Sequence, residues 1–417
     1  MSQGSLNASR KIVFVNRFFF PDISATSQIL SDVAFALASE DFSVTVVTSS
    51  SLYERSGKLP EQEVIAGVNV IRVKTPTIRS TSLLARAMTF AAFYITAGIA
   101  LLRQVKNGDI LVVKTDPPLF LFIAAMIARL RNAQQVNWLQ DLYPEVAAQL
   151  GVGLAQGKIG RLLSAARDRI LASAATNVVI GERMADLLRR RGIEDARISI
   201  IPNWSDDDAI VPQLDIAPQR LTWGLTDKCV IGYSGNIGKA HEIETLLDVA
   251  EHYRNDDNVR FLFIGGGALR TLIENRSLQL GLPNIVWQPY QPREDLPQTL
   301  AVPDIHWLSL APSLEGLIVP SKLYGILAAG KPFVFVGAED GEVARVARRY
   351  DCGWTVRPGD AAGFITAIER FRSDPVAAHA MGMRGRAAID ADLGRAKALR
   401  AWSTLLRRLS DREVRAV

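Results

Sequence analysis

Four histidines and two cysteines in 417 residues leave little material for metal or redox chemistry. Cys229 lies in a strand-like run and Cys352 in a Cys-Gly-Trp turn, with no CxxC pair and no Cys/His cluster, so reduced thiols and no structural metal are expected. Charge of one sign is also lacking. The 48 Lys and Arg against 43 Asp and Glu leave a net +5, which permits attraction to anionic lipids or nucleotides without implying nucleic acid. No GxGxxG follows the first strand-like run, where Arg17-Phe18-Phe19-Phe20-Pro21-Asp22 stands instead, and this speaks against a conventional dinucleotide-binding dehydrogenase. No exported leader is expected either, because residues 1–10 are polar and Ser-rich and the apolar run 12–15 is too short. Tandem repeats at solenoid periods and low-complexity tracts are missing as well.

What is present is a globular α/β pattern. The 48% hydrophobic content is ample for buried cores, and the length corresponds to two or three domains of roughly 150 residues each. Residues 11–15 read as a buried parallel strand, 16–24 as a loop, 26–39 as an amphipathic helix and 44–48 as the next strand. In such a βαβ opening of a doubly wound fold, ligands meet the loops at the carboxyl ends of strands. Residues 63–73 alternate around Ala66-Gly67 as a hairpin does. Residues 83–102 are largely apolar, but Arg86, Thr89, Thr96 and the strand-like 110–114 just beyond favour a buried or surface-docked helix over a membrane span. Residues 117–131 repeat the theme, with proline near the first helical turn and arginines at the end. Such helices suit contact with an anionic leaflet, and the cores of α/β domains give the same pattern.

Residues 134–139 read as a strand running into Asp141-Leu142-Tyr143-Pro144-Glu145, which puts Asp141 and Glu145 at a carboxyl end. Carboxylates there suit hydroxyl recognition or proton transfer, and the alternative for Asp141 is to cap the following turn. Residues 176–180 and 198–201, with a helix at 182–190, complete a first domain over residues 1–208, and the polar run 202–208 reads as a linker. The pattern then restarts over residues 209–391. Residues 230–234 form a strand, Gly235-Asn236-Ile237-Gly238 a tight loop and 241–253 a helix. Gly235 and Gly238 allow backbone to approach a ligand and turn N–H groups toward phosphate oxygens, with a plain turn as the alternative. Strands at 259–264 and 285–287 lead into Gly265-Gly266-Gly267 and Tyr290. At 314–337 a loop, a short helix and a buried strand follow. Ser321 is placed to cap that helix, with Lys322 beside its free N–H groups, as an anion site requires; a capped helix with a solvated lysine is the alternative.

These residues, taken together, resemble a family. Gly235 to Gly238, Gly265 to Gly267, Glu315-Gly316 and Ala328-Ala329-Gly330-Lys331-Pro332 are similar to the GT-B retaining glycosyltransferases of group 1, which build bacterial surface polysaccharides. Phe20 to Gln28, Asp141 to Glu145 and Ile201 to Trp204 resemble the branch acting in O-antigen, capsule and exopolysaccharide synthesis. The resemblance implies an α/β chain of two Rossmann-like doubly wound domains facing a central cleft. It places the acceptor, a glycan or lipid-linked sugar, on the first domain, where Asp22, Ser24 and Thr26 would meet it and Asp141 and Glu145 would be catalytic. It places the donor, a UDP or GDP sugar, on the second, against Gly235, Asn236, Gly238, Lys239, Gly265, Gly266, Tyr290, Ser321 and Lys322, with Glu315 toward the sugar. No metal or other cofactor is implied. Residues 392–417, with a helix at 392–408, are expected to pack back on the first domain. The expected location is the cytoplasm, peripheral on the inner face of the cell membrane.

Two departures accompany the resemblance. The second glutamate of the family's paired motif, a ribose ligand, falls at Gly325, and the usual Arg and Lys of the first loop are replaced by Asn236 and the Ala240-His241 region. Lys322 is then the physical candidate for the diphosphate, since a cation about 4 Å from a phosphate gains roughly 4 kcal/mol at an effective dielectric near 20, before desolvation. Two alternatives share the architecture: a nucleotide-sugar 2-epimerase and a non-catalytic membrane-peripheral assembly partner.

Overall fold

The computed structural model describes residues 10–51, 59–76, 83–213 and 217–411, without the side chains of 83–87 and 154. The polar start at 1–9 and the side chain of Arg86 lie outside the described residues. The chain divides into two compact units, Met1–Ile201 with Leu399–Val417 and Pro202–Ala398.

In the first unit β1 (Ile12–Val15), β2 (Val44–Ser49), β3 (Gln62–Ile65), β4 (Val68–Val73), β5 (Ile110–Lys114), β6 (Gln134–Leu139), β7 (Thr176–Val179) and β8 (Ile198–Ile200) form one sheet. Their order is β3-β4-β2-β1-β5-β6-β7-β8. Only β3 is antiparallel to its neighbour. Near-continuous apolar runs such as Ile12-Val13-Phe14-Val15 form central strands because a parallel sheet is covered on both faces. β3, at the edge, alternates between exposed and half-buried positions instead. The helices Leu83–Gln104 and Leu121–Arg131 close one core, where Phe93 and Phe120 meet Val13, Val113 and Ala124. The second of these helices starts four residues after Pro117, so that proline belongs to the loop and not to the first turn. Among the described residues no helix is long and apolar enough to cross a membrane.

The last helix, Arg395–Asp411, brings Trp402 against Trp138 on β6 with ring centroids 4.3 Å apart. Trp402 is fully buried. Burying an indole of this size contributes roughly 4–6 kcal/mol, so one side chain does much to hold the helix on the sheet. A five-residue π-helical turn, Ile389–Leu393, precedes it, so the α-helix begins later than the sequence pattern indicates.

In the second unit β9 (Cys229–Asn236), β10 (Val259–Gly266), β11 (Ile285–Gln288), β12 (Ile305–Ser309), β13 (Phe333–Val336) and β14 (Gly353–Val356) form a parallel sheet. The order is β11-β10-β9-β12-β13-β14. Tyr233, Phe263, Trp287 and Trp307 pack around its centre, with Phe263 stacked on Trp287 at 4.5 Å. The helix expected from His241 begins at Glu244, which leaves His241 in the loop. Helices Gly157–Ser173 and Pro375–Ala388 have no counterpart in the sequence reading. Each sheet has one point where strand order reverses, between β1 and β5 and between β9 and β12. Loops at the carboxyl ends of such neighbours diverge and leave a crevice, which is where each polar cluster is found.

Candidate functional site

At the carboxyl edge of the first sheet, β1 leads to Arg17, β5 ends on Lys114 with Asp116 beyond it, and β6 is followed by Asp141. Lys114 is buried; its Nζ donates to the Thr26 carbonyl at 3.1 Å and stands 3.9 Å from the centre of the Trp138 ring. Burial lowers its pKa to about 7, against the opposing pull of Asp116 and Asp141. Burial and the neighbouring Asp116 raise Asp141 to about 6, with Lys114 working the other way. Asp116 is raised by burial too, while Arg17 and Lys114 oppose the shift and Asp22 adds to it. The Thr115 hydroxyl accepts the N–H groups of Gln140 and Asp141 at 3.3 and 3.4 Å, fixing the turn that carries Asp141. Asp22 is buried and accepts the Ser24 N–H at 2.8 Å. The Ser24 hydroxyl is buried with no hydrogen-bond partner, and Thr26 has its carbonyl on Lys114.

Glu145 has gone elsewhere. Its carboxylate takes Arg167 Nη1 at 2.6 Å and Nη2 at 3.0 Å, Arg191 at 2.7 Å and the Ser164 hydroxyl at 2.9 Å. Burial alone would raise its pKa, but the two guanidinium groups outweigh that and hold it below the usual value. A carboxylate so paired is a poor proton acceptor, and its pairing by itself accounts for its burial. It borders an open hollow of about 640 Å³ lined by Ala148, Gly157, Gly160, Arg161 and Asp168, which Asp141 does not line.

On the second sheet, β9 runs through Gly235 to Asn236 and β10 through Gly265 to Gly266, so these glycines extend strands instead of forming separate loops. Gly235 has φ +125°, and a Cβ there would lie 2.5 Å from Lys322 Cε. Gly265, at φ +120°, would place a Cβ 2.5 Å from the Gly235 carbonyl and 2.9 Å from the Tyr290 ring. Both positions therefore demand glycine, by conformation and by space. Gly238 has open space around its α-carbon, and the Tyr290 ring stands exposed beside Gly266. Lys239 is exposed in the same loop.

Lys322 Nζ lies 3.5 Å from the Asn236 carbonyl and 5.1 Å from the centre of the Tyr233 ring. Burial lowers its pKa to about 8. The Tyr233 hydroxyl donates to the Asn236 carbonyl at 2.7 Å and stands 3.0 Å from His241 Nε2, while Nδ1 is 3.3 Å from the Ser309 hydroxyl. Nδ1 also lies 3.0 Å from the Ser309 carbonyl, which can only accept, so the neutral imidazole carries its proton on Nδ1 and leaves Nε2 as an acceptor beside the Tyr233 hydroxyl. Burial and the nearby Lys322 keep the imidazole neutral, with a pKa near 4.

Two further expectations change here. Ser321 adopts right-handed helical angles and makes no side-chain cap, and the helix after it, Lys322–Ala328, is only seven residues long. Glu315 Oε1 accepts the Glu342 N–H at 2.9 Å, which commits the carboxylate to the first turn of the helix Glu342–Tyr350. A Cβ at Gly325 would face Leu300 at 3.4 Å, an apolar neighbour for the position where the resemblance expects a ribose ligand. Arg17, Lys114, Asp116, Tyr233 and Ser309 join the clusters although sequence reasoning gave them no role, and so does His241, which it named only as part of the region replacing the family's usual cation. The available signal was position: Lys114 and Ser309 are polar residues at the carboxyl ends of apolar strands. Among the described residues no group of three or more His, Cys, Asp or Glu is arranged to hold a metal ion.

Residues 25–204 match the family described as a glycosyl transferase 4-like domain, and residues 219–388 match glycosyl transferases group 1. The chain belongs to the group 1 glycosyltransferases. Among the relatives of this glycosyltransferase is the probable glycosyltransferase WbjE of Pseudomonas aeruginosa, 28% identical over 71% of this chain and 74% of its own. Another is the putative colanic acid biosynthesis glycosyl transferase WcaI of Escherichia coli strain K12, 26% identical over 77% and 81%. Sucrose-phosphate synthase from Thermosynechococcus elongatus has the same fold, at a TM-score of 0.76 and 18% identity over 96% of this chain and 99% of that one. So does Anabaena HepE, solved in complex with UDP-glucose, at 0.69 and 14% over 95% and 99%. The enzyme is thus a glycosyltransferase with the GT-B fold. This reading prevails over the epimerase and the non-catalytic partner.

Proposed function

We propose that this glycosyltransferase moves a sugar from a nucleoside diphosphate sugar, UDP- or GDP-linked, to a hydroxyl of a lipid-linked or growing glycan, with retention and without a metal. The observation that carries the donor half is the Lys322 ammonium held against Gly235 and Asn236, where two glycines keep side chains clear of the backbone. A cation and bare backbone suit a diphosphate, whose charge grows as the glycosidic bond breaks. That HepE was solved with UDP-glucose supports a UDP sugar. Asp141 receives the acceptor proton. The acceptor oxygen bonds to the anomeric carbon on the face from which the diphosphate departs, so configuration is retained; the bond from that carbon to the diphosphate oxygen breaks, and its electron pair leaves on the nucleoside diphosphate. Nucleoside diphosphate release across a panel of UDP and GDP sugars, with thermal stabilisation as a second readout, tests this; neither release nor stabilisation with any donor would sink it.

A lipid-linked acceptor calls for a membrane surface. Met88, Ile95 and Ile99 on the helix Leu83–Gln104 are 54%, 63% and 45% exposed, and Met126 and Leu130 on the helix Leu121–Arg131 are 55% and 67% exposed. Neither helix contains an Asp or Glu, and Arg103, Arg129 and Arg131 end them. An apolar face bordered by arginines suits the inner face of the cell membrane. Co-sedimentation with phosphatidylglycerol vesicles, lost in Ile95→Glu/Leu130→Glu, is the expected result; equal binding by that variant would remove the assignment.

A further inference from the structure

Tyr233 is a core residue with more polarity than the core needs. Its ring packs with Phe263 and Trp307 in the middle of the second sheet, where a phenylalanine would fill the space as well. Its hydroxyl lies between two acceptors, the Asn236 carbonyl at 2.7 Å and His241 Nε2 at 3.0 Å. One acceptor would satisfy a buried O–H. The second is itself held, since the Nδ1–H of His241 donates at 3.0 Å to the carbonyl of Ser309, the last residue of β12. The loop from Asn236 to His241 is thereby tied to β9 at one end and to β12 at the other.

Both ends of the tyrosine meet the same cation. Lys322 Nζ stands 5.1 Å from the centre of the Tyr233 ring, inside the roughly 6 Å over which a ring face attracts an ammonium, and 3.5 Å from the Asn236 carbonyl that the hydroxyl holds. The other side of that peptide group is fixed too, because the Ile237 N–H donates to the Gly266 carbonyl at 2.7 Å. Without such ties the stretch would be loose. Gly235 precedes it at φ +125°, a region that glycine enters freely, and a lysine chain has many rotamers to lose.

We infer that Tyr233 is a positioning residue for Lys322: its ring face and the carbonyl that its hydroxyl holds set the ammonium where the donor diphosphate arrives. The inference rests on the reading of Lys322 as the diphosphate cation. Tyr233 is buried and acts through the lysine, fixing in advance a side chain that would otherwise lose its freedom on meeting the anion. Such a role has a signature that packing lacks. Tyr233 matters to the diphosphate only while Lys322 is present.

The test is a double-mutant cycle on UDP and GDP affinity, read by calorimetric titration, for wild type, Tyr233→Phe, Tyr233→Leu, Lys322→Ala and the two double variants. Tyr233→Phe keeps the ring and loses the hydroxyl, and Tyr233→Leu loses both. For the nucleotide that binds, the dissociation constant is expected to rise about 5- to 10-fold in Tyr233→Phe and further in Tyr233→Leu, but by less than about twofold when either is added to Lys322→Ala. A merely structural tyrosine would lower the melting temperature and weaken the nucleotide by the same factor with or without Lys322. That additive result overturns the inference, as does unchanged affinity in both tyrosine variants. If Tyr233→Leu does not fold, Tyr233→Phe decides alone by the same criteria. Lys322→Ala separates the two levels: wild-type affinity in that variant would remove the diphosphate cation itself, whereas weakened binding there with an additive cycle would remove only the role of Tyr233. Binding of neither nucleotide by wild type would sink the donor reading and this inference with it.

Discussion

The carboxyl edges of the two sheets occupy the same place in two doubly wound units and are furnished in opposite ways. The first gathers Arg17, Lys114, Asp22, Asp116 and Asp141, charges of both signs of which Lys114 and Asp116 each shift the protonation of the other and of Asp141. The second has the Lys322 ammonium against its backbone and Lys239 exposed in the adjoining loop, two glycines that exclude side chains and a neutral chain of Tyr233, His241 and Ser309. Its nearest carboxylate in sequence, Glu315, is committed to a helix N-terminus. An edge with competing carboxylates suits holding and moving a proton. An edge with bare backbone and cations but no free carboxylate cluster suits an anion that must be bound and then released. The comparison separates the two tasks of a glycosyl transfer by chemistry alone.

Four variants sharpen or break that contrast. The largest effect belongs to neither edge: Arg167→Met removes the buried guanidinium that pairs with both Glu145 and Asp168, leaving Arg191 to hold the two carboxylates, and is expected to cost about 3–5 kcal/mol in urea unfolding, with donor KM unchanged. A loss of donor affinity in that variant would tie Glu145 to the chemistry after all. Lys322→Ala comes next, with kcat/KM down about 100- to 1000-fold and stability nearly unchanged, as for loss of a group that stabilises developing charge. Wild-type turnover would place the diphosphate elsewhere.

Asp141→Asn should lower kcat by about 100-fold while leaving nucleotide binding intact, measured by titration with UDP. It carries a stability signature as well. The folded pKa of Asp141, about 6, lies above the ordinary 3.8, so the native state holds that proton more tightly than the unfolded chain. Its contribution to stability is full below about pH 4 and is lost as pH rises through 6. The melting temperature of Asp141→Asn relative to wild type should therefore rise across that window and level off above it; a flat difference would place the carboxylate in solvent. The smallest effect is expected for Glu315→Gln, about 1 kcal/mol of stability with little change in donor KM, because only its charge at a helix N-terminus is removed. A strong KM effect would return Glu315 to the sugar.

Much of the fold was legible because its signals are local. Runs such as Ile110 to Lys114 and Phe333 to Val336 are short, apolar and bounded by turn residues, and each became a buried parallel strand. Gly235, Gly265 and Lys322 stood out for similar reasons, since glycine after a strand and a cation at a loop are visible one at a time. The partners of Glu145 and Glu315 were not legible for the converse reason. Their partners are Arg167 and Arg191 for the one and the Glu342 N–H for the other, up to 46 residues away, and no local pattern announces them. Ser321 looked like a cap because serine often is one, but its side chain made no cap bond once the backbone took helical angles.

The sequence by itself determined two α/β units, the parallel sheets within them and the loops that would carry polar chemistry, because hydrophobic periodicity and turn residues act over a few positions. Only the tertiary structure decided which of those polar residues share a site. Strand order brings Arg17, Lys114 and Asp141 together across more than a hundred residues, and it sets Lys322 against Gly235. Coulombic and desolvation effects depend on distance in space and on burial, and neither is written into the spacing of residues along the chain.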